Sequence, residues 1–326
     1  MYLENPEFWN KSSPGYLLKF LLTPLKSAYL WVARKNYARP FEYESKSSTV
    51  VAIGAVTMGG SGKTIVASAL CDILKSLNKK VAVLSRGYGR SRSEILQVNP
   101  NEHTFKDVGD EPLLLSERYP VIVGENRGQG MLFAEKKLGK LDFFLLDDGI
   151  MQRSLKPDIR LLVVDNQQKF GNGEVFPLGP NRLPFEDIQQ DIDAIIYLRN
   201  EKDPITELPV KFSPIITGVL KQDYSKINEN DKFYAFCGLG YPEKFFNSLR
   251  RLNVVKTRSF PDHYPYTNMI LYKLENEAQN LGAKLITTEK DLMRIPMSLR
   301  KFVDAISVKI VWDDEEQIKN LILRKK

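Results

Sequence analysis

Val50–Thr64, VVAIGAVTMGGSGKT, running on into Ile65–Leu70, is the stretch that decides how this chain folds. An apolar run of strand type, Val50 to Val56, enters a glycine-rich turn. Lys63 and Thr64 then open an amphipathic helical pattern that extends to about Leu77. Strand, glycine-rich loop and helix N-terminus, in that order, make the geometry that holds a nucleoside triphosphate. Gly59, Gly60 and Gly62 let successive backbone N–H groups turn toward one anion. Lys63 brings a point charge to the β- and γ-phosphates, and the Thr64 hydroxyl suits Mg²⁺. The expected nucleotide-binding residues are therefore Thr57, Met58, Gly59, Gly60, Ser61, Gly62, Lys63 and Thr64. The strict G-x-x-x-x-G-K-[ST] pattern has glycine where this chain has Thr57. The loop by itself thus also fits a glycine-rich turn ahead of a helix, and the flanking strand and helix favour the nucleotide.

Downstream, Lys80–Leu84 reads as a buried parallel strand ending in Ser85–Arg90, SRGYGR. In an open α/β sheet, ligands gather beyond the C-terminal strand ends, so Arg86 and Tyr88 suit a phosphate or sugar contact. A basic surface turn is the alternative. Val108–Pro112, VGDEP, enters a helix. Asp110 reads first as its N-cap and Glu111 as a first-turn acid. A carboxylate beside a nucleotide can also take a proton from an attacking hydroxyl. Pro120–Arg127 is a short strand whose loop carries Arg127. Leu141–Gly149, LDFFLLDDG, is a strand ending in Asp147-Asp148, the pattern of a Walker-B element that holds Mg²⁺ or its waters. Ile159–Asp165 and Asp193–Tyr197 add strands, separated by a long Gly/Pro-rich loop containing Arg182. The polar segment from Asn200 to Pro214 reads as an interdomain connection.

The composition suits a soluble globular protein of two domains: 326 residues, 43% hydrophobic and 27% charged. A net charge of +7 favours an acidic partner, such as an anionic membrane or a phosphorylated substrate. No dense basic tract or nucleic-acid motif appears, which argues against nucleic acid. Cys71 and Cys237 read as buried free thiols, and two histidines, His103 and His263, exclude a histidine-based metal cluster. Glu4 and Glu7 near the start argue against a secretory signal. Residues 16–33, YLLKFLLTPLKSAYLWVA, are rich in Leu and aromatics and are followed by Arg34, Lys35 and Arg39. Lys19, Pro24 and Lys26 break the run short of a transmembrane span. The segment reads either as a helix on the membrane surface or as a helical hairpin packed on the body, bent at Pro24.

These motifs, with Phe170–Gly173 (FGNG), Gly179–Arg182 (GPNR), Ala235–Gly240 (AFCGLG), Phe260–Tyr264 (FPDHY) and Thr287–Asp291 (TTEKD), occur in the order that resembles the tetraacyldisaccharide 4′-kinase family, the lipid A 4′-kinases of Gram-negative bacteria. The resemblance spans nearly the whole chain. It implies an ATP- and Mg²⁺-dependent kinase that phosphorylates the 4′-hydroxyl of a tetraacylated glucosamine disaccharide 1-phosphate at the cytoplasmic face of the inner membrane. It implies Asp110 as the base with His263 its partner, and Lys63 as the phosphate clamp. Thr64, Asp147 and Asp148 become the metal side, and Arg86, Tyr88, Glu111, Arg127 and Arg182 the substrate side. It favours the membrane reading of the arm, and no obligate protein partner is evident. The chain departs from the family at Met151 and Gln152, where a Gln and a His are usual, and at Leu183, where an acid often follows the arginine. Glu111 or Glu174 could replace that acid.

The expected fold is α/β: a P-loop NTPase-type, largely parallel sheet with helices on both faces, plus a smaller C-terminal α/β domain. The boundaries are 1–45 for the arm, 46–212 for the kinase core and 213–326 for the second domain. His263 must then reach Asp110 across the interdomain cleft. The alternatives are a membrane-surface P-loop ATPase switch without a sugar acceptor, and a non-catalytic lipid-binding module. The loop carries no second lysine, which argues against the switch; intact Lys63, Thr64, Asp110 and Asp147 argue against the module.

Overall fold

Four apolar runs, TVVAIG, VAVLS, FFLL and IRLLVVD, are buried almost throughout, as parallel strands covered by helices on both faces must be. The computed structural model describes residues 6–9, 15–204 and 206–324. Residues 1–5 and 10–14 of the expected arm, including Glu4, and Ile205 of the expected connection lie outside the described residues.

Helix α1 (Tyr16–Tyr37) leads to β1 (Tyr43–Glu44), β2 (Thr49–Gly54), the glycine-rich loop and α2 (Lys63–Ser76). Then come β3 (Val81–Ser85), β4 (Leu96–Gln97), α3 (Phe105–Val108), α4 (Asp110–Ser116), β5 (Val121–Val123), α5 (Arg127–Leu138), β6 (Phe143–Leu146), β7 (Leu155–Lys156) and β8 (Ile159–Asp165). After a long loop follow β9 (Ala194–Asn200), β10 (Ile215–Asp223), β11 (Lys232–Cys237), α6 (Pro242–Ser248), β12 (Asn253–Ser259) and α7 (Asn268–Asn280). The chain ends with β13 (Lys284–Thr288), α8 (Glu289–Met293), β14 (Val303–Trp312) and α9 (Glu315–Ile322).

Twelve strands make one sheet in the order β12-β11-β13-β14-β10-β9-β8-β2-β6-β3-β5-β4; β1 and β7 pair separately. All pairs in the large sheet are parallel except β10–β14 and β4–β5. β6 lies between β2 and β3 although it follows both in sequence, and Ala52 pairs with Leu146. The loop after β2 and the Asp147-Asp148 turn after β6 therefore leave the sheet side by side, in the crevice at the C-terminal strand ends.

The sheet does not stop at residue 212. β10 continues it beside β9, and β14 joins β10 on one edge and β13 on the other. Ile216 and Leu220 of β10 and Ile318, Leu321 and Ile322 of α9 pack into the same core as α2. Separate clusters form around Phe233 and Phe245 on one face of β11, and around Tyr234 and Leu274 on the other. The second half thus has its own core but shares its sheet with the first.

α1 is one continuous helix through Pro24 rather than a hairpin bent there. Lys19 and Lys26 straddle the proline and both close on Glu174, at 3.0 and 2.5 Å. Further along, Arg34 pairs with Asp187, Tyr37 donates to Asp191, and the Tyr29 ring meets Phe176. These ties compensate for the hydrogen bond that an interior proline removes. No residue of α1 is buried, and Tyr16, Leu17, Phe20, Leu21, Leu25 and Trp31 are exposed. Among the described residues, no helix is long and apolar enough to cross a membrane. Cys71 and Cys237 are free and buried.

Candidate active site

The glycine-rich loop forms because its residues can take conformations others avoid. Gly59, Gly60 and Gly62 all have positive φ, and Gly62 caps α2 in the left-handed region. Thr57 is buried and bridges Asn181, and Met58 N donates to Pro180 O. The Gly/Pro-rich loop thus braces the phosphate loop from one side, with Arg182 N donating to Val56 O. Ser61 is buried, and its Oγ accepts from Lys63 Nζ at 3.5 Å. Thr64 lies in the first turn of α2. From the second half, Tyr241 lies over Gly60, and Lys244 pairs with Asp165 at 2.5 Å.

Beside this loop stand the two acids after β6. Lys63 Nζ is 3.8 Å from Asp148 Oδ1, and Arg182 Nη1 reaches both Asp148 oxygens at 2.8 Å. Burial pushes the Asp148 carboxyl up, but Lys63, Arg182 and Arg127 more than offset this and hold it below the usual range. Asp147 is buried and accepts from Ser85 Oγ at 3.3 Å, while its Oδ1 has no partner. Burial and the nearby Glu111 and Asp148 charges push its pKa up to about 7. Arg127 is buried at the start of α5. Its Nη1 donates to the carbonyls of Gly124 and Glu125, and its Nε is unpartnered. Burial lowers its pKa to about 10, against the pull of Asp147 and Asp148.

The donor set fits Mg²⁺. Asp147 offers an unused buried carboxylate oxygen, the adjacent Asp148 adds another carboxylate, and the Thr64 hydroxyl in the first turn of α2 is a further hard oxygen donor. Among the described residues no three His, Cys, Asp or Glu side chains could hold a metal alone. Mg²⁺ commonly takes one or two carboxylates and completes its shell with water and substrate phosphate.

A second constellation stands beside the turn that follows β3. Asp110 is the first helical residue of α4, with Gly109 rather than Asp110 at the N-cap. The Asp110 side chain is buried; its Oδ1 accepts from Glu111 N at 3.0 Å, and its Oδ2 lies 2.9 Å from His263 Nδ1. Burial would raise the Asp110 pKa, but Lys290, His263 and Arg294 outweigh it and hold the carboxyl well below its usual range. Glu111 accepts from Lys290 Nζ at 2.9 Å. Tyr88 is 77% exposed, with its ring 5.9 Å from His263, and Arg86 is exposed at the end of β3. His263 sits at φ 55°, where its backbone N donates to Asp262.

The departures are occupied by structural side chains. Leu183 is buried in the core, and Met151 packs against the same cluster. Glu174 turns to α1 rather than to the nucleotide loop. Gln152 Nε2 donates to Leu155 O, and its Oε1 accepts from Ser154 Oγ, which in turn accepts from Arg127 N at 2.9 Å. Sequence reasoning gave no role to Lys290, Asp291 and Arg294. The signal was present in Thr287–Asp291: Thr288 is the N-cap of α8 at the end of β13 and aims these charges at α4.

Residues 18–326 match the family model "LpxK: Tetraacyldisaccharide-1-P 4'-kinase". The tetraacyldisaccharide 4'-kinase of Nitrobacter hamburgensis is 35% identical, covering 98% of this chain and 97% of its own length. That of Rhodospirillum rubrum is 36% identical, with 98% and 97% covered. A crystal structure of LpxK from Aquifex aeolicus in complex with ATP superposes with a TM-score of 0.76 at 27% identity, covering 94% of this chain and 98% of that one. This chain belongs to the tetraacyldisaccharide-1-phosphate 4′-kinase family, ATP- and Mg²⁺-dependent kinases acting on a lipid A disaccharide precursor.

Proposed function

We propose that the Asp110–His263 pair takes the proton from the acceptor's 4′-hydroxyl as that oxygen attacks the γ-phosphorus of ATP and the bond to ADP breaks. The observation that carries this is the 2.9 Å contact between Asp110 and His263, beside the Ser85–Arg90 turn at the C-terminal end of β3. The buried, ionised Asp110 carboxylate fixes the imidazole's orientation and offsets the charge it would gain on taking up the proton. Lys63 and the loop N–H groups hold the β- and γ-phosphates. Arg182, held by Asp148, and the buried Arg127 neutralise charge that builds during transfer. Thr64, Asp147 and Asp148 would hold Mg²⁺, which would supply positive charge against the phosphate oxygens. Arg86, Tyr88 and Glu111 form the acceptor side.

The acceptor is a tetraacylated glucosamine disaccharide 1-phosphate. α1 lies on the cytoplasmic surface of the inner membrane, its exposed Leu and aromatic side chains in the acyl boundary and its basic groups near anionic headgroups. The functional divisions are an arm (1–45), a nucleotide half (46–212) and a closing half (213–326). The Tyr241 and Lys244 contacts let the last shut over ATP and exclude water.

The test is transfer from labelled ATP to the disaccharide 1-phosphate in detergent, for the intact protein, Lys63→Ala and Asp110→Ala. Label in the lipid, lost in both variants while Asp110→Ala still binds ATP, is expected. Full transfer by Asp110→Ala overturns the proton-acceptor role, and label only in free phosphate restores the ATPase switch.

A further inference from the structure

We propose that Arg294 is a positioning residue for phosphoryl transfer: buried where the two halves meet, it holds the Asp110 carboxylate against His263 and ties it to Asp291. This rests on the reading of Asp110–His263 as the proton acceptor.

Arg294 is the largest fully buried side chain of the described residues, with 0% of its side chain exposed. A guanidinium there needs fixed anions, because leaving water carries a large cost that only well-placed partners offset. Arg294 has two. Its Nη2 donates to Asp291 Oδ1 at 2.9 Å and to Gly238 O at 3.0 Å. Its Nε stands 3.5 Å from Asp110 Oδ2 without a hydrogen bond, and its Nη1 is also unpartnered.

Asp291 is already well supplied. It is fully buried and accepts from Gly238 N, Tyr266 Oη and Thr288 Oγ1 as well as from Arg294. Three neutral donors share its charge, so Arg294 is not needed to satisfy it. Of the guanidinium's two unused donors, Nε is the one that stands beside Asp110.

The division of labour at Asp110 follows. Oδ1 is fixed by its own helix, through Glu111 N. Oδ2 is fixed entirely from the second half, by His263 at 2.9 Å, Arg294 at 3.5 Å and Lys290 at 4.0 Å. Lys290 spends its charge first on Glu111, at 2.9 Å, and is partly exposed. Among the described residues Arg294 is ion-paired only with Asp110 and Asp291, and its side chain is fully buried. The other charged or titratable neighbours are Asp262, against His263, and Tyr88, whose ring flanks it. Removing a buried cation raises the proton affinity of both members of the pair, so an acid limb moves up whichever member it reports.

The experiment compares intact protein, Arg294→Met, Arg294→Lys and Arg294→Met with Asp291→Asn, the last keeping the hub neutral should the single variant fail to fold. Asp110→Ala is the control. Steady-state kcat and KM are measured against pH with MgATP and the disaccharide lipid. For Arg294→Met or the double variant, kcat falls roughly 100-fold, as expected for a misplaced reacting group. KM for MgATP stays within about threefold, and the acid limb moves up by about one pH unit, the scale of one lost ion pair. Arg294→Lys recovers most of kcat. An inactive Asp110→Ala alongside an unmoved acid limb and kcat in the double variant overturns the Arg294 role alone. Full turnover by Asp110→Ala overturns both readings.

Discussion

Gly109→Ala tests how tightly the fold controls Asp110, the proposed proton acceptor. Gly109 joins α3 to α4 at φ 93°, ψ 152°, directly before Asp110. That region belongs almost entirely to glycine, and holding an alanine there costs about 2 kcal/mol. A Cβ at this position would lie 3.0 Å from Tyr88 O and 3.3 Å from Gly87 C and Cα. These are backbone atoms of a turn in which Gly87 itself has positive φ, so no side chain can swing away. The strain is relieved only by shifting the start of α4 or the Ser85–Arg90 turn. Either shift moves Asp110 relative to His263 or Tyr88. A displacement near 1 Å costs roughly 100-fold in rate when the group must be in register with a reacting bond. The expected result is a fall in kcat of about that size, with ATP affinity kept because the nucleotide loop is untouched. Stability falls by about 2 kcal/mol, read by chemical denaturation. A variant with unchanged kcat and unchanged stability would refute the claim that this glycine sets the position of Asp110.

Leu183→Glu, which restores the acid usual in the family, destabilises by about 3 kcal/mol or more because Leu183 lies in the core; unfolding midpoints check this, and an unshifted midpoint contradicts it. Glu174→Gln removes the carboxylate that both Lys19 and Lys26 grip. Each pair is partly exposed, so global stability changes by under about 1 kcal/mol. Proteolysis of α1 quickens while the remaining core stays resistant, and equal cleavage rates would count against the tether. Gln152→Ala frees Ser154 from the relay that ends on Arg127 N. Loss of these hydrogen bonds costs about 1–2 kcal/mol and lowers kcat through Arg127, and double-mutant cycles with Ser154→Ala show whether the two act as one unit.

The nucleotide half was legible because its signals are local. A buried parallel strand needs an unbroken apolar run, and a phosphate loop needs glycine where φ turns positive, so Thr49–Gly54 and Gly59–Lys63 announce both. The Asp147-Asp148 turn was legible for the same reason: an unbroken apolar run ending in two acids marks the end of a buried strand, and that strand pairs with β2. Asp110 was ambiguous, since a cap and a base look alike in sequence. Only the pairing of β13 with β14 and of α4 with α8 brings His263, Lys290 and Arg294, more than 150 positions away, onto one carboxylate oxygen. α1 shows the same limit: its composition left open a surface helix or a hairpin bent at Pro24, and in the structure the helix is continuous through Pro24, with Lys19 and Lys26 on the distant Glu174. The sequence by itself determined the strands of the nucleotide half and the glycine-rich loop, because backbone conformation and hydrophobic burial are written in neighbouring residues, whereas β10 and β14, which join the halves, went unread. Tertiary structure alone decided that the two halves share one sheet, and which charges meet at Asp110, because Coulomb interactions depend on distance in space and not on separation along the chain.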